Sequence, residues 1–318
     1  MVEKKSKDKK YVSVFFEKYN IVVIFLLLCA FLSVLSPRFR TFSNFINILR
    51  QSSIYAMLGF GMTFVMLTGM IDLSVGSVVA LSSCITGLCL VSDFGIFPSI
   101  LMGILTGFGC GLINGVLITK WRVPFFIATV GVMFSARGTA LVITNGNPVS
   151  GLPRAFFTLG GGYIGPVPNP VVIAACVFVI FYIVLTQTKF GRYTYCIGSN
   201  QLAARFSGIN VDKYLTLIFG INGFTAGLVG VVLSSRLRIG SPIIASGYEL
   251  DAIAAVAIGG TSLLGGEGSI VGTVIGALVL TVIRNGLTIL GVSTFFQQVI
   301  MGIIIVVVVA IDMWRRGE

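Results

Sequence analysis

The 318-residue sequence contains no histidine. That absence excludes an imidazole base, a histidine metal ligand, a histidine proton relay and a Ser-His-Asp triad. Charge is scarce as well: 10% of residues are Asp, Glu, Lys or Arg and 56% are apolar, where a soluble domain carries roughly 25% charged residues. Cysteines are few and unpatterned. Cys29, Cys84, Cys89, Cys110, Cys176 and Cys196 contain no C-x-x-C pair and five lie in apolar stretches, so they read as small buried hydrophobes and not as a disulfide or zinc framework. The sequence also lacks a G-x-x-x-x-G-K-[ST] phosphate loop, so ATP hydrolysis is expected on another chain. No metal and no cofactor is expected.

What fills the chain is hydrophobic sequence, with a mean hydropathy of +1.00. One bilayer crossing takes about 20 residues at about 1.5 Å each, so ten crossings consume roughly 200 residues and leave only loops and tails. The expected fold is all-α: a polytopic transmembrane helix bundle of about ten spans, with no fused ATPase or extracellular binding domain. Apolar runs lie near Asn20–Ser36, Ile54–Met70, Leu73–Val91, Phe97–Ile118, Pro124–Ile143, Pro170–Thr186, Tyr214–Ser234, Leu250–Leu264, Ile270–Leu290 and Phe296–Met313. The sequence divides into a basic N-terminal segment 1–19, a membrane domain 20–313 and a tail 314–318. The first run has no small-residue cleavage site after it and reads as an uncleaved span.

The net charge, 22 − 11 = +11, has an account in the positive-inside rule, and nucleic acid is not an expected partner. With both termini in the cytoplasm, six basic residues from Lys4 to Lys18 join Lys120, Arg122, Lys189, Arg192, Arg205, Lys213, Arg315 and Arg316 inside. The external set is Arg38, Arg40, Arg50, Arg154, Arg236 and Arg238, and Arg137 and Arg284 fall within spans. The 14 to 6 bias sets this orientation, in which Asn145–Asn169 is external. Pro37–Arg50, with its Phe42, Phe45, Ile46, Leu49 stripe, suits an amphipathic helix on the outer interface.

Two segments read as interrupted helices, near 69–76 and 259–269. In TGMIDLSVGS, Gly69 can end one helix, Asp72 can cap the next, and Gly76 follows within its first turn. In GGTSLLGGEGSIVGT, glycine pairs interrupt the apolar run and Ser269 can cap a new helix. Aligning Leu73–Ser77 on Ser269–Thr273 gives a weak internal repeat of break then helix. Broken helices in repeated positions line substrate paths in transporters, because freed backbone groups there face a cavity instead of lipid. Asp72, Ser74 and Gly76 in the first break, Thr261 in the second, and the acidic pair Glu249 and Asp251 are therefore the substrate-pathway or helix-break candidates. Asp72 has two compatible readings, a functional intramembrane carboxylate and a helix cap. Glu249 and Asp251 have three: sugar contact, docking of a basic patch, and plain solvated acids. For Arg137 and Arg284 structural pairing or snorkelling outranks sugar contact, with Asn285 a polar neighbour of Arg284. The 39 glycines read mainly as tight packing within the bundle, with a dimer face as the sharper alternative.

The longest cytoplasmic loop, 188–213, contains a short helix Gln201–Ser207. Ser199 or Asn200 can cap it and Gly208 can close it in the left-handed conformation. Ala203 and Ala204 leave a shallow surface, and Leu202 and Phe206 form an apolar stripe. Such a helix suits a groove on another protein; a helix resting on the bilayer is the bland alternative.

The strings GMTFVMLTGMIDLSVGS, CIGSNQLAARFSGINVDKY and GYELDAIAAVAIGGTSLLGGEGSIVGTVIGAL, in that order, resemble the permease subunit of bacterial ribose-type sugar ABC importers, over about Phe42 to Asp312. The resemblance implies an inner-membrane permease that translocates a monosaccharide by alternating access. It also implies an ATP-binding cassette subunit with two fused cassettes below, an extracytoplasmic sugar-binding protein outside, and a second permease copy or paralogue beside it in lipid. It casts Ser199, Asn200, Leu202, Ala203, Ala204, Arg205, Phe206 and Gly208 as the ATPase-coupling loop. Glu267 departs from the pattern, standing where such permeases usually carry Lys or Arg; it alters an ATPase contact or sits in a solvated turn. An ion-coupled secondary transporter is the alternative function. An intramembrane enzyme lacks a nucleophile-base set.

Overall fold

The computed structural model describes residues 21–315, so the basic segment 1–19 and most of the expected tail lie outside the described residues. Helices follow the apolar runs: α1 (Ile21–Leu35), α2 (Phe42–Leu67), α3 (Val75–Val91), α4 (Ile96–Thr119) and α5 (Phe125–Thr144). After a short helix α6 (Phe157–Gly161) and an antiparallel ribbon, β1 (Tyr163–Ile164) on β2 (Val167–Pro168), come α7 (Asn169–Gln187), α8 (Lys189–Ser199) and α9 (Gln201–Phe206). The chain continues through α10 (Val211–Leu237), α11 (Tyr248–Ile258), α12 (Ile270–Ile289) and α13 (Thr294–Arg315). The protein is an all-α membrane bundle, and α4, α5, α7, α10 and α12 are long and apolar enough to cross a bilayer.

Three boundaries differ from expectation. Pro37–Arg50 is not a separate interfacial helix: after a turn at 37–40, Thr41 accepts the Asn44 amide at 3.3 Å and α2 runs without a break through 26 residues. The run Leu250–Leu264 is not a full span either, since α11 has 11 residues, about 16 Å of rise against the ~30 Å of a hydrocarbon core. The loop between α7 and α10 contains two helices instead of one, with α8 preceding the expected short one.

α2, α3, α10 and α11 bury most of their surface, and α4, α5 and α7 wrap them with one apolar face outward. The most extensive helix pairing is that of α4 with α10. Gly107, Gly111 and Gly115, one turn apart, lie against Gly227, Gly223 and Thr216; a Cβ on Gly107 would stand 2.5 Å from the Gly227 Cα. α12 meets α11 in the same way, with Gly272 and Gly276 on the Gly259 backbone. These glycines serve packing inside the bundle, because missing side chains let two helix backbones come into direct van der Waals contact.

Candidate functional site

The first helix break forms where Gly69, at φ +74°, turns the chain out of α2, the Gly69 and Met70 amides donating back to the Met66 and Val65 carbonyls at 2.9 and 3.4 Å. Asp72 then sits two residues before the N-cap, which is Ser74 and not Asp72 as expected. The Asp72 Oδ1 accepts the Ser74 amide at 2.8 Å and the Ser74 hydroxyl at 2.6 Å, an Asx-type turn ahead of α3. Its Oδ2 accepts the Asn222 amide of α10 at 2.9 Å, and Asn114 of α4 donates to the Ser74 hydroxyl at 2.9 Å. Asp72 is 1% exposed and, among the described residues, has no ion-pair partner. Neutral dipoles solvate the carboxylate, and the same bonds staple the break to α4 and α10. Asn114 and Asn222 were not legible as partners; each is a lone amide in an apolar helix.

Glu249 and Asp251 are not solvated acids. Asp251 is buried and pairs with the Arg284 guanidinium of α12, which also donates to the Tyr55 hydroxyl of α2 at 3.2 Å. Glu249 accepts the Gly247 amide at 3.2 Å and lies so close to Gly76 that a Cβ there would overlap its carboxylate. Gly76 is thus required by a neighbour in space. Arg137 of α5 donates to the carbonyls of Pro242 and Ile244 at 2.7 and 2.9 Å, pinning the loop before α11. Asn285 pairs with Asn44, not with Arg284. Thr261 is buried and packs on Gly268 in the second break. Asp72, Ser74, Gly76 and Glu249 therefore line one stretch of α3, whereas Asp251 belongs to the α2–α11–α12 contact and Thr261 to the second break.

α9 is capped by Asn200, whose Oδ1 accepts the Ala203 amide at 2.9 Å, and Gly208 follows at φ +82°. Ser199 closes α8 and is not the cap. Leu202 and Phe206 are 68% and 89% exposed, so the apolar stripe faces outward with Ala203. Ala204 faces the other way, buried against Ile197, Val211 and Leu215, and cannot be part of the shallow surface. Arg205 pairs with Asp212, which also takes Arg122 at 3.0 Å, so a small ion network ties α9 to α10 and to the α4–α5 turn.

The two breaks meet beneath α8. The Gly266 amide donates to the Leu67 carbonyl at 2.9 Å, and the Tyr195 hydroxyl of α8 donates to the Gly268 carbonyl at 2.8 Å. Gly198 packs on the Leu67 carbonyl, where a side chain would collide. Ser269 caps α12 as expected, accepting the Gly272 amide at 3.0 Å. The aligned units 73–77 and 269–273 thus both open helices, although Asp72 supplies no cap. At the opposite end of α10, Arg154, Arg236 and Arg238 surround a cavity of about 470 Å³ together with Phe157, Thr158 and Ser235, with no acid in its wall.

A family model described as branched-chain amino acid transport system / permease component matches residues 44–309. The chain is 46% identical over 288 residues to the ribose import permease protein RbsC of Bacillus subtilis (strain 168), covering 90% of this chain and 89% of that one. It is 42% identical over 295 residues to RbsC of Escherichia coli (strain K12), 92% of each chain. It is 37% identical over 315 residues to the D-allose transport system permease protein AlsC of the same strain, 98% of this chain and 97% of that one. No solved structure matches.

Proposed function

The chain belongs to the family of branched-chain amino acid transport system permease components, and from that premise we propose that it is the membrane-spanning permease subunit of an ATP-driven importer that translocates a monosaccharide, ribose or a close relative, by alternating access. The family's description names amino acids, but the relatives that align over most of both chains are named for ribose and allose, and the sugar reading follows them. The observation that carries the ATP-driven reading is α9: a capped helix anchored by Ala204 that turns Leu202 and Phe206 outward, on a chain without a phosphate loop of its own. Such a surface suits the groove of a cassette ATPase, here one with two fused cassettes.

On this reading α8, α9 and both termini face the cytoplasm of a bacterial cell, in its inner membrane. The opposite end of α10 then faces outward, and its arginine cavity suits carboxylates of an extracytoplasmic sugar-binding protein. Asp251, being buried, takes no part in that docking. A second permease copy or paralogue completes the path. An ion-coupled carrier would work alone, which the family membership argues against.

The test is reconstitution. Liposomes containing this chain, a cassette ATPase and a sugar-binding protein should accumulate ribose with ATP, and omission of the ATPase should abolish uptake. Gradient-driven ribose uptake by the lone chain would replace this reading with the secondary carrier.

A further inference from the structure

We propose that Tyr195 is a positioning residue for transport: its hydrogen bond to Gly268 makes α8 and the second helix break move as one body, so that a displacement of α9 reaches α11 and α12. The inference rests on the permease reading above. Four observations support it. α9 itself touches the bundle through Ala204, which packs with Ile197, Val211 and Leu215 beside Met70, and through the Asp212 network with Arg122, and it makes no hydrogen bond to either break. α8, joined to α9 by Asn200 and by the packing of Ile197 on Ala204, reaches both breaks. Its Gly198 abuts the end of α2 at Leu67, and Leu67 in turn accepts the Gly266 amide. Tyr195 then adds a side-chain bond from α8 to the segment that opens α12, at Gly268, two residues before the helix begins.

The chemistry of the contact favours a link that persists through a cycle. The Tyr195 phenol is a donor throughout the neutral range, burial pushing it further from ionisation, and the Gly268 carbonyl accepts from it at 2.8 Å. Gly265 and Gly266, at φ +90° and +79°, carry the segment through left-handed conformations, and the Gly266 amide is already held by Leu67; Tyr195 adds a second attachment on the α12 side, so that a displacement of α8 is not taken up between residues 266 and 268. With the tether, displacement passes to Ser269 and along α12 to Arg284, hence to Asp251 on α11.

The experiment uses the reconstituted complex with ribose as probe, in a background whose six cysteines are replaced by serine. Tyr195→Phe should lower ribose-stimulated ATP hydrolysis and uptake about fivefold, the equivalent of about 1 kcal/mol, the worth of one hydrogen bond, with basal hydrolysis and complex yield unchanged. The pair Ser199→Cys and Gly266→Cys supplies a substitute link, since a Cβ at 266 stands 3.3 Å from the Ser199 Cα. Each double-cysteine protein is compared with its own reduced form, because a side chain at Gly266 (φ +79°) is strained and Ser199 lies in the coupling loop. Oxidation of that pair should raise uptake by Tyr195→Phe above its reduced form, reductant should remove the gain again, and with Tyr195 intact the oxidised and reduced forms should transport at the same rate. Normal uptake by Tyr195→Phe, or a cross-link that blocks uptake, would overturn the proposal. If Tyr195→Phe fails to assemble, the cross-link beside intact Tyr195 decides alone, retention supporting the single body and a block refuting it. A complex with no ATP-driven ribose uptake in any form removes the permease reading and this inference with it.

Discussion

Asn222 donates its side-chain amide to Asp72 at 2.9 Å, linking α10 to a carboxylate 150 positions earlier in the chain. That bond makes a test of Asp72 specific. Asp72→Ala strands the Ser74 and Asn222 donors in a buried site, and bonds to a charged group are worth about 1.5–3 kcal/mol, so the melting temperature in detergent should fall sharply. Asp72→Asn keeps an acceptor for Ser74, and Asn222 can turn its amide to receive the new donor, so most of the stability should remain. A loss as large for Asn as for Ala would assign the requirement to the negative charge.

The Asp251–Arg284 pair should show strong non-additivity. Arg284→Leu leaves Asp251 buried without a partner, at a cost of about 3–5 kcal/mol, and Asp251→Leu leaves the guanidinium beside Tyr55. The double variant Asp251→Leu with Arg284→Leu should recover much of the loss in thermal unfolding. Additive losses would mean the pair is not energetically coupled.

On α9 the two alanines should behave differently. Ala203→Trp adds bulk on the exposed side and should weaken co-purification of the ATPase while the permease remains folded. Ala204→Trp forces the ring against Ile197, Val211 and Leu215, where overpacking costs about 1–3 kcal/mol, and should lower thermal stability as well. Gly208→Val, at φ +82°, should also displace the end of α9. Undiminished co-purification by Ala203→Trp would transfer α9 to the membrane surface.

Orientation is checked by labelling. A cysteine at Ile164, 62% exposed at the β1–β2 ribbon, should react with an impermeant reagent added outside the cell, and one at Phe206 should react only after the membrane is opened. The reverse pattern would invert the topology.

Much of this architecture was legible because apolar runs and helix-stop residues act locally. Gly69, Asn200, Gly208 and Ser269 hold the turn and cap positions that their chemistry suggested. The rest depended on packing. The glycine pair Gly259–Gly260 marked the break after Ile258, but hydrophobicity continues to Leu264, so the length of the apolar run overstated α11. α8 was hidden for the opposite reason: a helix with Lys189 and Arg192 on one face and Phe190, Thr194 and Ile197 turned to the bundle averages to the polarity of a loop. The three readings of Glu249 and Asp251 could not be separated in the sequence because their neighbours, Gly76 and Arg284, come from other helices.

Glycine spacing on α4 carries a mechanical implication. With Gly107, Gly111 and Gly115 seated on the backbone of α10, no side chain separates the two helices, and there is no rotamer whose change could let them slide. The pair is a keel. Gly107→Ala would push it apart at once, whereas Gly109→Ala, on the same helix with nothing within 4 Å of the new methyl, would go unnoticed in a melting curve. Whatever swings to admit or release a solute must swing about α4 and α10, and a pair of probes fixed along them will hold a constant separation while the rest of the bundle changes shape.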